Sequence, residues 1–187
     1  MFVPKGYIGG GDHPVTKDVI IDNSDAIRAY DAVKLLNGNL EAVAAGNSVF
    51  GIVISIHDKF GNALSPEKVS LSKEGTATID DTTLPNAVTV ASNNETVDLV
   101  TARISLSIEA EFLANANAAP GTTVASDKPG TYIDVTDQRI LDESSATRTL
   151  TSGGQFYGWG TDPAVSGNYI LCSIHESEFY GFGKVIG

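Results

Sequence analysis

Few residues in this chain have a type and spacing that could do chemistry. The three histidines, His13, His57 and His175, are dispersed, and no two stand at a metal-ligand spacing. Each has an acidic neighbour, Asp12, Asp58 and Glu176, but adjacent residues of a strand face opposite sides, so these pairs do not converge. They read as surface histidines. Asp80-Asp81, and Asp22 with Asp25, could hold a hard cation loosely. The alternating aspartates and glycine of a calcium loop are missing, however, which favours a solvated acidic surface. Gly9 to Gly11 are not followed by the Lys and Ser or Thr of a phosphate-binding loop, "GWGTDP" fails likewise, and no Gly-x-Ser-x-Gly elbow occurs. The single cysteine, Cys172, sits in "NYILCSI", where it reads as a small buried apolar residue. No catalytic residue, cofactor or metal is expected, and an enzyme has nothing here to stand on.

The elements that would position such residues are mostly strands. With 187 residues, 42% hydrophobic and 19% charged, the chain can bury a real core. Nineteen glycines and abundant Thr, Val, Ile and Asn point to turns and strands. A net charge of -11 would repel a phosphate backbone, and no Lys/Arg cluster interrupts it, which argues against nucleic acid. "MFVPKGYIGGGDHPV" lacks the apolar core of a signal peptide, and no later run has the length of a membrane span, so no membrane partner is expected.

Residues 1–18, rich in Gly and Pro, read as an extended arm resting on a partner, and 19–187 as one β-rich domain. "VIID" at 19–22 suits a short strand, with Ser24 capping a helical turn after it. The core of the domain spans 27–62. Val33 and Leu35 alternate with Lys34, Asn37-Gly38 supplies a tight hairpin, and Leu40 starts the return. "SVFGIVISI" suits a strand buried on both faces, with Gly51 at a bulge or bend. Gly61-Asn62 marks a second turn. Residues 63–98 form a polar insertion with short strands around Val69, Leu71, Ile79, Val88 and Val90. Residues 99–187 hold the remaining strands. In them Ile104, Leu106, Ile108, Ala110 and Phe112 alternate with polar residues as one half-solvated strand, and a last strand spans Tyr169 to Ile174. "LANANAAPGTTVAS" faintly echoes "LEAVAAGNSVFGI", which small residues gathering before turns explain equally well. The expected fold is mostly β, a small barrel or sandwich-like domain with an N-terminal arm and inserted strands. Candidate partner-binding residues are Val3, Pro4, Tyr7 and Ile8 in the arm and Phe156, Tyr157 and Trp159 in the glycine-aromatic tail; core packing is the plainer reading of the aromatic group.

The stretch "IRAYDAVKLLNGNLEAVAAGNSVFGIVI" resembles the capsid cement, or head-decoration, proteins of tailed phages. Their core runs Ile-x-Ala-Gly-Asp-x-Val, a hairpin, an Ala-rich turn with a Gly-Asp-like pair, then Val-x-Gly-Ile-Val. Ile27, Ala29, Asp31, Val33, Leu35, Gly38, Ala45, Gly46, Val49, Gly51 and Ile52 occupy those slots. Tyr30 replaces the usual glycine and Asn47 the usual aspartate. The resemblance covers only this stretch. It implies a virion protein made in the host cytoplasm and placed on the capsid exterior, a homo-oligomer, a trimer by preference, whose partner is the major capsid protein. A rival from another class is a β-rich fibre, spike or adhesion module binding a receptor or glycan, which is favoured if residues 120–170 form an independent unit.

Overall fold

The computed structural model describes residues 1–7, 15–22, 26–63, 88–89, 100–106, 109–122, 126–149 and 154–175. The described residues are nearly all β, as expected: a nearly closed, barrel-like sheet beside a second, larger sheet. The barrel sheet has five strands in the order β2 (Thr16–Ile20), β8 (Thr101–Ser105), β6 (Gly51–His57), β4 (Ala32–Leu36) and β5 (Asn39–Ala42). Its ends meet where Ile21 bridges Leu40 and the Asp22 N–H donates to the Leu40 carbonyl at 2.8 Å. Inside it pack Ile21, Ile27, Val33, Leu40, Val53, Ile56 and Ile104, all fully buried. A two-stranded ribbon of β3 (Ala26–Ile27) and β7 (Val88–Thr89) completes this half.

The hairpin forms at the expected place. Leu36 pairs with Asn39 across Asn37-Gly38, and φ is +52° and +91° at the two turn residues, the positive values that a two-residue turn of this twist requires. Gly61 likewise turns the chain with φ +83°, after which Ala63 bridges back to His57. Gly51 is needed for closeness and not for a bulge: a Cβ there would overlap Ile104 Cγ2 and the Ser105 carbonyl of β8. The bulge of β6 lies further on, between Val53 and Ser55.

The larger sheet centres on β9 (Ala110–Ala116). One edge of β9 pairs β14 (Tyr169–Ile174), which continues to β13 (Phe156–Gly160) and β10 (Thr131–Ile133). The other edge is shared end to end: β1 (Phe2–Tyr7) runs antiparallel along it, and β12 (Ile140–Leu141), paired with β11 (Val135–Asp137), runs parallel beyond. The expected last strand coincides with β14, and Cys172 is fully buried within it, where burial pushes its thiol well above the usual range.

Two expectations are corrected. Residues 1–7 and 15–18, the described part of the expected arm, are not free. Residues 2–7 are a sheet strand with Met1, Phe2 and Val3 buried, because Phe2 stacks on Phe156 at 4.6 Å and β9 offers an open edge. Pro4 is tolerated because β1 is an edge strand whose register shifts between Pro4 and Gly6. Residues 16–18 belong to the barrel. Second, the alternation from Ile104 to Phe112 is two strands. Ile104 lies in the barrel core and Phe112 in the larger core, so the chain crosses between sheets while keeping its apolar side inward. Residues 126–149 and 154–175 are not the independent unit that would favour a fibre or adhesion module. Ile133, Val135, Phe156 and Ile170 share one core with Phe2 and with Ala32, Val43, Val49 and Ile52 of the barrel wall. Ser24, the insertion from 64 to 87 and from 90 to 98, His13 and Asp80-Asp81 lie outside the described residues.

Candidate partner-binding face

β13 shows how the glycine-aromatic pattern works. Its residues alternate, with Phe156, Gly158 and Gly160 buried and Tyr157 and Trp159 half-buried on the opposite face. The glycines let neighbours approach: a Cβ on Gly158 would crowd Ile133 and the Thr131 carbonyl, and Gly160, at φ +112°, has the Asp127 carbonyl 2.8 Å from where its Cβ would be. The aromatics then stand outward as a ladder. Tyr132 of β10 meets Tyr157 edge-on at 5.5 Å, and Tyr157 meets Trp159 at 4.6 Å. Trp159 Nε1–H donates to Ser173 Oγ at 3.0 Å, which fixes the indole on β14. His175 closes the row, its ring 4.8 Å from Tyr132, and burial pushes its pKa down, so it is neutral at neutral pH. The face is therefore aromatic and uncharged along its ladder.

The other half of the same face is covered. Val3, Leu113 and Tyr30 are buried there with Tyr169, Leu171 and Val165 against them. The segment that carries Val165 is tied down by Lys5 Nζ to Asp162 Oδ2 at 2.7 Å, and the Lys5 hydrogen bond holds the Asp162 carboxyl below the usual range.

Of the sequence candidates, Tyr157 and Trp159 come together on the open half. Phe156 does not join them: it is a core residue, because period-two alternation turns it inward. Val3 is also buried, in the covered half. Pro4 is exposed on the sheet edge opposite Phe112. Tyr7 pairs with Ala110 in backbone register, and Ile8 lies outside the described residues. Sequence reading missed Tyr132, although Pro129-Gly130 ahead of the alternating "TYIDV" is a turn-then-strand signal that puts this tyrosine on the face opposite Thr131 and Ile133.

The polar groups around one cleft of the barrel bond to one another or to close neighbours in the chain. An open cleft of about 520 Å³ on the barrel wall is lined by His57, Asp18, Asp58 and Arg103. His57 bonds Ser55 Oγ at 2.6 Å and faces the Gly61 carbonyl at 3.3 Å. Asp18 takes both Arg103 contacts, at 3.0 and 3.2 Å, which lower its pKa. Asp58 caps its own turn through Phe60 and Asn62, and hydrogen bonds led by Asn62 lower its pKa. Ser55 is buried. Among the described residues, no three His, Cys, Asp or Glu side chains gather to hold a metal ion, and no helix is long and apolar enough to cross a membrane. Comparisons with protein-family models, with characterised proteins and with solved structures find no match to this chain.

Proposed function

We propose that this chain is a structural virion protein that binds the outside of an assembled phage capsid and stabilises it, acting through shape and without catalysis. The observation that carries the reading is Tyr30. It stands where the cement-protein pattern has glycine, and it adopts φ +69°, the left-handed region that glycine occupies without cost. Other residues of the motif have defined backbone or burial roles: Asp31 is buried, Gly38 and Gly46 have positive φ, and Gly51 permits close strand contact. Asn47, in the aspartate slot, accepts from the Ala44 N–H at 3.0 Å, as an aspartate would.

The half-buried aromatic half-face supports the same reading, since Tyr and Trp give rigid contact area at low entropic cost. The partner is the major capsid protein, and the chain acts as a homo-oligomer, a trimer by preference. The fibre or adhesion rival is favoured less, because Phe156, Ile133 and Ile170 of the aromatic strands share a core with Ala32, Val43, Val49 and Ile52 of the barrel wall.

The test is particle survival after heating, with capsid shells left undecorated, decorated with the full chain, or decorated with Tyr157→Ala/Trp159→Ala. The full chain is expected to raise survival and the double variant to lose most of that gain at temperatures where circular dichroism shows the variant still folded. A full chain that neither binds shells nor protects them overturns the proposal. Sedimentation at micromolar concentration checks the trimer.

A further inference from the structure

The barrel closes on itself at one end only. Past the Ile21–Leu40 bridge the edges part, and β2 leaves the β4–β5 hairpin across a cleft of about 440 Å³. Its walls are apolar, from Val19, Leu35, Phe50 and Leu106, and this is the mouth of the barrel interior. Lys17 stands at the lip. It is exposed, shares the inward side of β2 with Val19 and makes no ion pair among the described residues. Four large apolar side chains are exposed among the described residues; Leu35 and Leu36 are at this hairpin tip and Val15 immediately precedes β2.

The backbone of β2 is half-used. The Val15 carbonyl accepts from the Leu106 N–H at 2.9 Å, and the Ile21 N–H donates to the Val100 carbonyl at 3.2 Å. Odd-numbered residues therefore turn their peptide groups toward β8. By the alternation of an antiparallel ladder, Thr16 and Asp18 turn theirs away from it, toward the opening. An open edge beside an apolar mouth is a template for another strand.

We propose that the β2 edge is a strand-addition site for an extended peptide segment of pattern apolar-x-acidic. Its main chain pairs with Thr16 and Asp18, its apolar side chain enters the barrel mouth, and its carboxylate meets Lys17. The two-residue spacing follows from the pleat: Lys17 and Val19 share the inward side, so the residues that face them must stand at i and i+2. The intervening side chain points outward, over the neutralised Asp18–Arg103 pair. A small amphiphile could fill the mouth, but only a peptide also satisfies the edge. This site is independent of the shell reading, which rests on the motif around Tyr30 and the aromatic face of the other sheet.

The experiment uses the full chain with the capped probe peptide Thr-Phe-Thr-Asp-Thr, its counterpart with Lys for Asp, and dodecanoate. Binding is followed by fluorescence polarisation and by amide exchange. Saturating Asp peptide is expected to slow exchange at Thr16 and Asp18 by about ten-fold or more and to leave Lys17 and Val19, already bonded to β8, nearly unchanged. Lys17→Glu is expected to weaken the Asp peptide by about ten-fold and to favour the Lys peptide. Thr16→Pro, which removes an edge N–H at the start of a strand, is expected to weaken both peptides without lowering the melting temperature by more than a few degrees. Absence of peptide binding at millimolar concentration, or binding that leaves Thr16 and Asp18 exchange unaltered, overturns the proposal. So does dodecanoate binding without peptide binding.

Discussion

In the barrel, Leu36 meets Asn39 across a two-residue turn; in the larger sheet, Phe2 meets Ala114 and Ile140 runs parallel to Asn115. The hairpin half of the barrel is assembled from sequence neighbours, whereas the larger sheet joins the two ends of the described chain on one central strand. Local pairing requires little loop closure before it is rewarded, and distant pairing requires much. Local elements therefore tolerate damage to one turn, while the larger sheet depends on the few side chains that lock distant segments together.

The largest effect is expected at Phe156, fully buried and stacked on Phe2. Phe156→Ala should cost about 3–5 kcal/mol, because it leaves a cavity where the chain ends meet. Urea unfolding measures it, and a loss below about 1 kcal/mol would break the contrast between the two regions.

Next comes the seam between them. Asp31, preceding β4, is fully buried, with Oδ1 3.2 Å from Arg139 Nε of the β11–β12 turn. That contact attracts charge but lies off the hydrogen-bond direction, while the Arg28 N–H donates to Oδ2 at 2.9 Å. Desolvation by burial raises its pKa to about 6, against the lowering effects of the Arg28 N–H and of Arg139. A pKa raised on folding favours the protonated form. The Asp31 contribution is thus fully present below about pH 4 and lost as pH rises through about 6. The difference between those limits is about 3 kcal/mol. Asp31→Asn should therefore leave acid stability nearly unchanged and raise stability at pH 8 relative to the parent chain. The pH dependence of the difference in melting temperature tests this, since Asp18, Asp58, Asp142 and Asp162, whose pKa values are lowered, titrate equally in both proteins. A difference that is flat with pH would place the seam's energy in its backbone bonds, such as Ala32 N–H to the Gln138 carbonyl at 2.7 Å.

The smallest effect is expected at Gly38. Nothing lies within 4 Å of a Cβ built there, so Gly38→Val meets only the strain of φ +91° and should cost about 1 kcal/mol. A cost equal to that of Phe156→Ala would mean that the local hairpin is as decisive as the distant pairing.

The ranking also explains what was legible beforehand. Asn37-Gly38, Gly61 and the strand at 169–174 were readable because a turn and its flanking alternation lie within a few residues of each other. The N-terminal strand was not. "FVPKGY" carries Pro and Gly that disfavour a central strand, and only β9 supplies the edge at which they are tolerated. Of the candidate face, Tyr157 and Trp159 were legible as residue types. Their alternation with Phe156 was visible too, but which side of the strand is core depends on Phe2, far away in sequence.

By itself, then, the sequence determined a β protein with its local turns and the buried character of Cys172. Each follows from composition or from periodicity over short spans. Tertiary structure decided that Met1 to Val3 are core, that the alternation from Ile104 to Phe112 divides between two sheets, that Tyr132 joins Tyr157 and Trp159, and that Asp31 lies dehydrated beside Arg139. These outcomes depend on which distant edges and faces meet. A segment's own pattern specifies that it has an apolar side, and the surface that covers that side is specified only by the rest of the chain.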